Sequence, residues 1–430
     1  MRQHLERPVS ALLVAFILAA FSSGCGALRT RFPVPPELTE HAEVPGYVHI
    51  RFWGDAASAE FEDNVIEALD REHAALGLPP DVRELPGTAA LVISGGGDDG
   101  AFAAGILNGW TRRGDRPTFR VVTGVSTGAL VAPFAFLGAD YDDELAAAYT
   151  TIAPKDVFRI RNLLTILRSD SAADTEPLRE LTKKWFTEEM LDRIAVEHAK
   201  GRRLLVATTN LDAQRPVIWD VGRIASSGRP DRVELFRDVL LGSAAIPGAF
   251  SPVYIRVRAD GRDYDEMHVD GGTTMQLFLF PADIAPSTIR ARAGYTRGRS
   301  TVYVIRNGRL WPETQPIQPR VAAIAGRAIS TLIKSQGYGN LEILYQACVS
   351  QGDEFRLLSI PDFVPYTAKT TFDQQYMRKL YDVGFMMGAA PDAWQNAPPR
   401  VEAPGERLRR VVRSSTQPTP GTQPTTRPDE

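Results

Sequence analysis

Val121-Val122-Thr123-Gly124-Val125-Ser126-Thr127-Gly128-Ala129-Leu130 passes from β-branched residues through a small-residue turn into a helical pattern. A strand entering a helix this abruptly crowds the side chains two places either side of the corner. Glycines at 124 and 128 relieve that crowding and leave the Ser126 hydroxyl standing clear at a helix N-terminus. With 35 glycines in the chain, a G-x-S-x-G also arises by accident, so its weight comes from what surrounds it. Immediately upstream, residues 89–93 read as a strand that enters Ser94-Gly95-Gly96-Gly97-Asp98-Asp99-Gly100-Ala101-Phe102 and then a helix. Consecutive glycines let the backbone turn sharply and approach a ligand, with free N–H groups at the helix start aimed at negative charge. Such a loop serves either as a phosphate cradle or as an oxyanion hole. A dinucleotide site would close the second strand on an acidic residue, and here that strand ends in the serine corner instead.

Outward from these two corners the chain alternates. Apolar runs at 89–93, 120–122, 204–207, 253–257, 301–305 and 355–359 have the Val, Ile and Leu content of buried strands. Helical patterns at 100–112, 127–137, 177–199, 232–241, 323–346 and 373–387 separate them. The alternation predicts a layered sheet with helices on both faces.

A serine hydroxyl is a poor nucleophile until a base takes its proton. Of the six histidines, His4, His41, His49 and His73 precede the alternating region, and His198 ends a charged helix where a solvated position is expected. His268 is the remaining histidine candidate. Two residues beyond it, Asp270-Gly271-Gly272 offers a carboxylate followed by two residues without side chains, so Asp270 is the rival base.

The three blocks, Gly95-Gly96-Gly97-x-x-Gly100, Gly124-x-Ser126-x-Gly128 and Asp270-Gly271-Gly272, in that order, resemble those of the patatin-like phospholipase family. Ala207-Thr208-Thr209-Asn210-Leu211-Asp212 with Arg215-Pro216-Val217, the segment 243–252 and Tyr381-Asp382-Val383-Gly384 are also similar to family segments, so the resemblance spans roughly 89–389. It implies an α/β fold of three layers, α/β/α, around a central and mainly parallel sheet. It further implies a Ser-Asp dyad of Ser126 and Asp270, an oxyanion hole from Gly95, Gly96, Gly97 and Gly100, and an elbow shaped by Gly124 and Gly128. The implied chemistry is hydrolysis of lipid carboxylic esters, of the phospholipase A or lysophospholipase kind, through an acyl-enzyme that needs neither metal nor organic cofactor. Segment 243–252 is read as structural. Two departures stand out. Asp99, beside Asp98, stands just before the last glycine of the first block, where the family commonly has Arg or Lys, and both acids are expected to face solvent or cap the helix at Gly100. Thr273-Thr274-Met275-Gln276-Leu277 follows the last glycines and is expected to reshape the acyl pocket. A catalytically silent, lipid-binding envelope lipoprotein with the same fold is the alternative that Asp98-Asp99 favours. A Ser126–His268 hydrolase is a third reading; a nucleotide site is disfavoured because no lysine follows the glycine loop.

The 430-residue length allows a sizeable core, and 43% hydrophobic with 23% charged residues is a globular composition. Lys and Arg number 49 against 52 Asp and Glu, so the net charge of -3 provides no cationic field for nucleic acid. With Cys25 and Cys348 alone, no disulfide framework or cysteine-rich zinc site can form. Arg2 and Arg7 precede an apolar run at 9–21, shorter than the roughly 20 residues that span a bilayer, which reads as an export signal. Ser22-Ser23-Gly24-Cys25 resembles a lipoprotein cleavage site with lipidation at Cys25, and Gly26 in place of Asp favours the bacterial outer membrane, periplasmic face. The expected organisation is a signal at 1–24, an N-terminal extension at 25–87, an acyl hydrolase domain at 88–390 and a C-terminal extension at 391–430. That extension is expected to be disordered from about 414, where Ser, Thr, Gln and Pro leave nothing apolar to bury. The partners anticipated are a lipid ester and, through the N-terminal anchor, a membrane.

Overall fold

The computed structural model describes residues 31–166, 169–281 and 284–399. The export signal, Cys25 and the tail beyond 399 lie outside the described residues.

Nine strands form the main sheet: β1 (Arg51–Trp53), β2 (Ala89–Ile93), β3 (Phe119–Val125), β4 (Arg203–Asn210), β5 (Arg215–Asp220), β6 (Val253–Ala259), β7 (Arg262–Asp270), β8 (Thr301–Arg306) and β9 (Glu354–Ser359). The order is β1-β5-β4-β3-β2-β8-β9, with β7 joining the far end of β4 and β6 joining β7. Neighbours from β4 through β3, β2 and β8 to β9 are parallel, while β1, β5, β6 and β7 pair antiparallel. The chain moves from β2 toward β4 on one side and later returns to β8 and β9 on the other. Between β2 and β8 the winding direction reverses, and beyond the carboxyl ends of the strands a crevice opens at such a reversal.

The parallel strands read as continuous apolar runs because both faces are covered. Alternate residues point to opposite faces. Leu91, Ile93, Val122, Leu204, Val206, Ile305 and Leu358 enter one core with helices α2 (Gly100–Arg113), α3 (Thr127–Leu137), α6 (Glu188–Ala199), α7 (Arg232–Ser243) and α9 (Gln374–Ala389). Val125, Leu205 and Ala207 face the other way onto α1 (Ala59–Ala75), and Val92, Val302, Val304 and Leu357 onto α8 (Val321–Gln351). The result is three layers, α/β/α, around a mainly parallel sheet. Two shorter helices, α4 (Asp142–Thr150) and α5 (Glu176–Trp185), lie on the first face, α4 against α2 and α5 against α7.

The helical pattern over 177–199 divides into α5 and α6, because Thr187 accepts a hydrogen bond from the Met190 N–H and starts a new helix. β6 and β7 form a hairpin whose turn, Asp260-Gly261, has positive φ at both residues (47° and 72°), the geometry that matches strand twist. Residues before 88 are woven into the sheet: β1 pairs with β5, and the buried Arg51 guanidinium bonds Glu266 on β7. His198, expected at the surface, is buried with 1% exposure, and burial lowers its pKa to about 4 despite Asp220 at 3.7 Å.

Helices α2 and α9 cross unusually closely. Gly105 and Gly109 lie against the backbone of Tyr381 and Phe385, and Gly384 and Gly388 against that of Phe102 and Ile106. A Cβ at any of the four would fall 2.0 to 2.3 Å from a carbonyl oxygen.

Candidate active site

Three loops meet at the carboxyl edge of β2, β3 and β7. Ser126 ends β3 with φ 55° and ψ −127°, a strained conformation for a residue bearing a side chain. The corner holds because Gly124 and Gly128 admit close backbone approach: a Cβ on Gly124 would lie 2.4 Å from the Gly128 carbonyl oxygen, and one on Gly128 would lie 2.3 Å from that of Ile93. The Ser126 hydroxyl donates to Asp270 Oδ2 at 2.6 Å. Asp270 Oδ1 accepts the Gly272 N–H at 2.7 Å, which fixes the carboxylate plane. Burial pushes Asp270 up to about 6, and the bonds from Ser126 and Gly272 hold it back from rising further. A buried carboxylate poised at this value is a competent general base near neutral pH.

His268 is fully buried and engaged elsewhere. Its Nδ1 meets Thr208 Oγ1 at 2.8 Å and its Nε2 meets Glu266 Oε2 at 3.0 Å. Burial lowers its pKa, and its ring belongs to the Arg51–Glu266 pair beneath the site. The structure brings Ser126 to Asp270 and leaves His268 apart.

The glycine loop separates into amides that are free to face the serine and amides that are occupied. Gly95 N–H donates to the Gln276 carbonyl at 3.3 Å, and Gly100 N–H turns back onto the carbonyls of Gly97 and Asp98. Gly100 instead makes room, since a Cβ there would lie 2.1 Å from Thr127 Oγ1. Against the expectation that all four glycines ring an oxyanion, the amides of Gly95 and Gly100 are engaged elsewhere, and Gly97 borders the same cavity as Ser126. Asn307, after β8, braces the loop, donating from Nδ2 to the Ser94 carbonyl at 2.9 Å and accepting the Ala103 N–H.

Below Ser126 runs a slot walled by Leu130, Phe134, Ile152, Trp185, Phe250 and Phe372, an apolar lining suited to an acyl chain. Thr273-Thr274-Met275-Gln276-Leu277 is absent from this lining, contrary to expectation. Its Gln276 packs beneath Gly95 instead.

Asp98 and Asp99 neither face solvent nor cap α2. Asp98 is buried and accepts the Phe372 N–H at 3.1 Å and the Tyr366 hydroxyl at 3.4 Å, while Asp99 accepts the Tyr376 hydroxyl. Asp98 thereby anchors a C-terminal strap, residues 361–373, which lays Phe372 into the slot, and Asp99 anchors the start of α9 through Tyr376. Burial raises both carboxyls, Asp99 to about 6. A cation does lie behind the loop: Arg306 is fully buried, with burial lowering it to about 10, which leaves it charged at neutral pH.

Ser243 was hidden from sequence reasoning inside a segment read as structural. Its Oγ accepts the Ser126 N–H at 2.9 Å and donates to the Ala207 carbonyl at 2.7 Å, and nearby the Ala245 carbonyl accepts the Asp270 N–H at 2.8 Å. One short stretch thus holds both partners of the dyad by their backbones.

Residues 91–285 match the profile of the patatin-like phospholipase family. Over this segment the chain is similar to patatin-like phospholipases. The matched segment begins in β2, runs past Asp270 and contains every group of the site except Arg306, Asn307, the strap and Tyr376 of α9. No curated protein matches the sequence. Among solved structures, VipD from Legionella pneumophila is similar at 12% identity and a TM-score of 0.35, over 70% of this chain and 66% of that one. Human GIVD cytosolic phospholipase A2 is similar at 12% identity and a TM-score of 0.29, over 75% of this chain and 53% of that one.

Proposed function

We propose that the patatin-like domain is a serine acyl hydrolase that cleaves lipid carboxylic esters through Ser126 and Asp270. The 2.6 Å bond between their side chains, at the head of an apolar slot, is the observation that carries this reading. As Ser126 Oγ attacks the ester carbonyl carbon, its proton passes to Asp270 Oδ2 and the carbonyl electron pair moves onto oxygen. That oxygen meets the amides of Gly96 and Gly97 and the positive start of α3, a contribution on the order of 3 kcal/mol per donor. Collapse breaks the ester C–O bond, the leaving alcohol takes the proton from Asp270, and the acyl chain stays on Ser126 in the slot. Water, deprotonated by Asp270, then attacks the acyl-enzyme and releases the fatty acid. Asp98 and Asp99, the residues that favoured a silent scaffold, are engaged by the strap and by Tyr376 of α9 respectively.

A fluorophosphonate probe should label the wild-type protein and spare Ser126→Ala. In a lipid-ester hydrolysis panel, wild type should release fatty acid, and Ser126→Ala and Asp270→Asn should not. Release that survives both substitutions would overturn the assignment, and release lost only on His268→Ala would transfer it to the histidine. We further propose export and lipid anchoring at Cys25 on the periplasmic face of the outer membrane. Support comes from the apolar run at 9–21 and the small residues before Cys25. Radiolabelled palmitate incorporation that vanishes in Cys25→Ser tests it, and labelling retained in that variant would refute it.

A further inference from the structure

Helix α8 is anchored at one end only. Leu341, Leu344 and Cys348 are buried against the sheet, whereas Val321, Ile324, Ile329 and Leu332 are 86%, 55%, 58% and 69% exposed. Among the described residues, no buried hydrophobic cluster includes this half, and no helix is long and apolar enough to cross a membrane. Gly337 abuts the guanidinium of Arg306, the last residue of β8, so the helix extends from there to Val321 about 24 Å toward its start at 1.5 Å per residue. Because α8 follows a parallel strand, this free half stands above the carboxyl edge of the sheet, the edge that carries Ser126.

Its sequence is two-sided. Val321, Ile324, Ala325, Ala328, Ile329 and Leu332 fall on one helical arc, and Arg320, Arg327 and Lys334 recur at seven-residue spacing along its border. No acidic residue occurs from 314 to 341. Glu313 is the acid that reaches the line, pairing with Lys334 at 3.4 Å while its backbone carbonyl takes Arg327, and Arg320 is left exposed. On the same edge, Phe363 of the strap is 83% exposed.

We propose that the free half of α8, with Phe363, is a docking face for an anionic lipid bilayer, lying in the headgroup region and setting the mouth of the slot against the membrane. The inference rests on the hydrolase reading for the substrate it delivers, though not for the binding itself. Charge decides the occupant: a second copy of this chain would bring the same basic line against itself, whereas an anionic surface complements it.

The test uses the full chain with Cys25→Ser in every arm, so that no anchor contributes, and vesicles of phosphatidylcholine alone or with an equal part of phosphatidylglycerol. The protein should float with the anionic vesicles and much less with the neutral ones. Ile324→Asp with Leu332→Asp should lower the vesicle partition coefficient more than tenfold. Arg320→Glu, at an exposed position, should lower it several-fold on anionic vesicles alone. Turnover of a soluble short-chain ester should stay at the wild-type level in both. Equal flotation of wild type and variants would overturn the proposal, as would a concentration-dependent dimer that the same substitutions dissociate. Flotation without soluble-ester turnover in any arm would instead remove the hydrolase reading and leave the docking face standing.

Discussion

Asp270 carries its charge against burial, with two hydrogen bonds to sustain it. Its carboxyl is raised from 3.8 in the unfolded chain to about 6 in the folded one. The base form required for attack on an ester is therefore lost as pH falls through about 6, and kcat/KM on a soluble ester should decline there with a single protonation. Stability follows the opposite sense. The folded state favours the protonated acid, so this contribution is fully present below about pH 4 and is lost as pH rises through 6. Asp270→Asn should accordingly abolish turnover yet stabilise the protein at pH 8 by on the order of 1 to 3 kcal/mol, with the gain vanishing near pH 4. Urea unfolding at the two pH values reads this directly. Ser126 and Asp270 were legible in the sequence because tight backbone corners demand glycine, and glycine at fixed spacing is a local signal. Ser243, Asn307 and Arg306 left no such mark, since each acts across thirty or more residues of chain on a group whose position only the fold supplies. His198 was misplaced for a related reason: the charged helix around it buries one face, and that face is where it lies.

The crossing of α2 and α9 is set by backbone contact at four glycines, two on each helix. Gly384→Val would drive a side chain into the Phe102 carbonyl, and the separation needed to relieve it would open the core around α2. A loss of roughly 3 kcal/mol or more is expected, seen as a lowered urea midpoint. The strap is held more lightly. Asp98→Ala removes the acceptor for the Phe372 N–H and the Tyr366 hydroxyl, so cleavage within 361–373 under limited proteolysis should quicken while the bulk melting temperature changes little. Elements of the parallel core were readable because strands covered on both faces are apolar throughout, and 89–93 and 301–305 were placed almost to the residue. β1, β5 and β7 were missed as strands. They begin with charged residues, Arg51, Arg215 and Arg262, and their pairing partners are remote in sequence or wholly antiparallel, so no apolar run announces them. The hairpin that delivers Asp270 did carry a sign of its own, the Asp260-Gly261 turn.

Across the molecule, the segment before residue 88 and the strand bearing the proposed base are joined by a buried ion pair. Although burial pushes Glu266 upward, Arg51 and His268 hold its carboxyl down at about 2. Arg51→Met would leave that carboxylate buried beside a neutral partner, at a cost of about 3 to 5 kcal/mol in chemical denaturation, with soluble-ester turnover falling alongside because β7 ends at Asp270. The three-layer plan followed from the alternation of runs and helices, whereas the weave of the N-terminal residues into the sheet could come only from long-range pairing. The brace formed by α9 has a consequence in time. Translation completes the nucleophile, the base and the glycine loop well before it reaches residues 374–389, yet α2, which opens where that loop closes, has no partner along its glycine face until α9 arrives. The start of α2, and with it the glycine loop, thus gains its packing support only when the last helix among the described residues is synthesised.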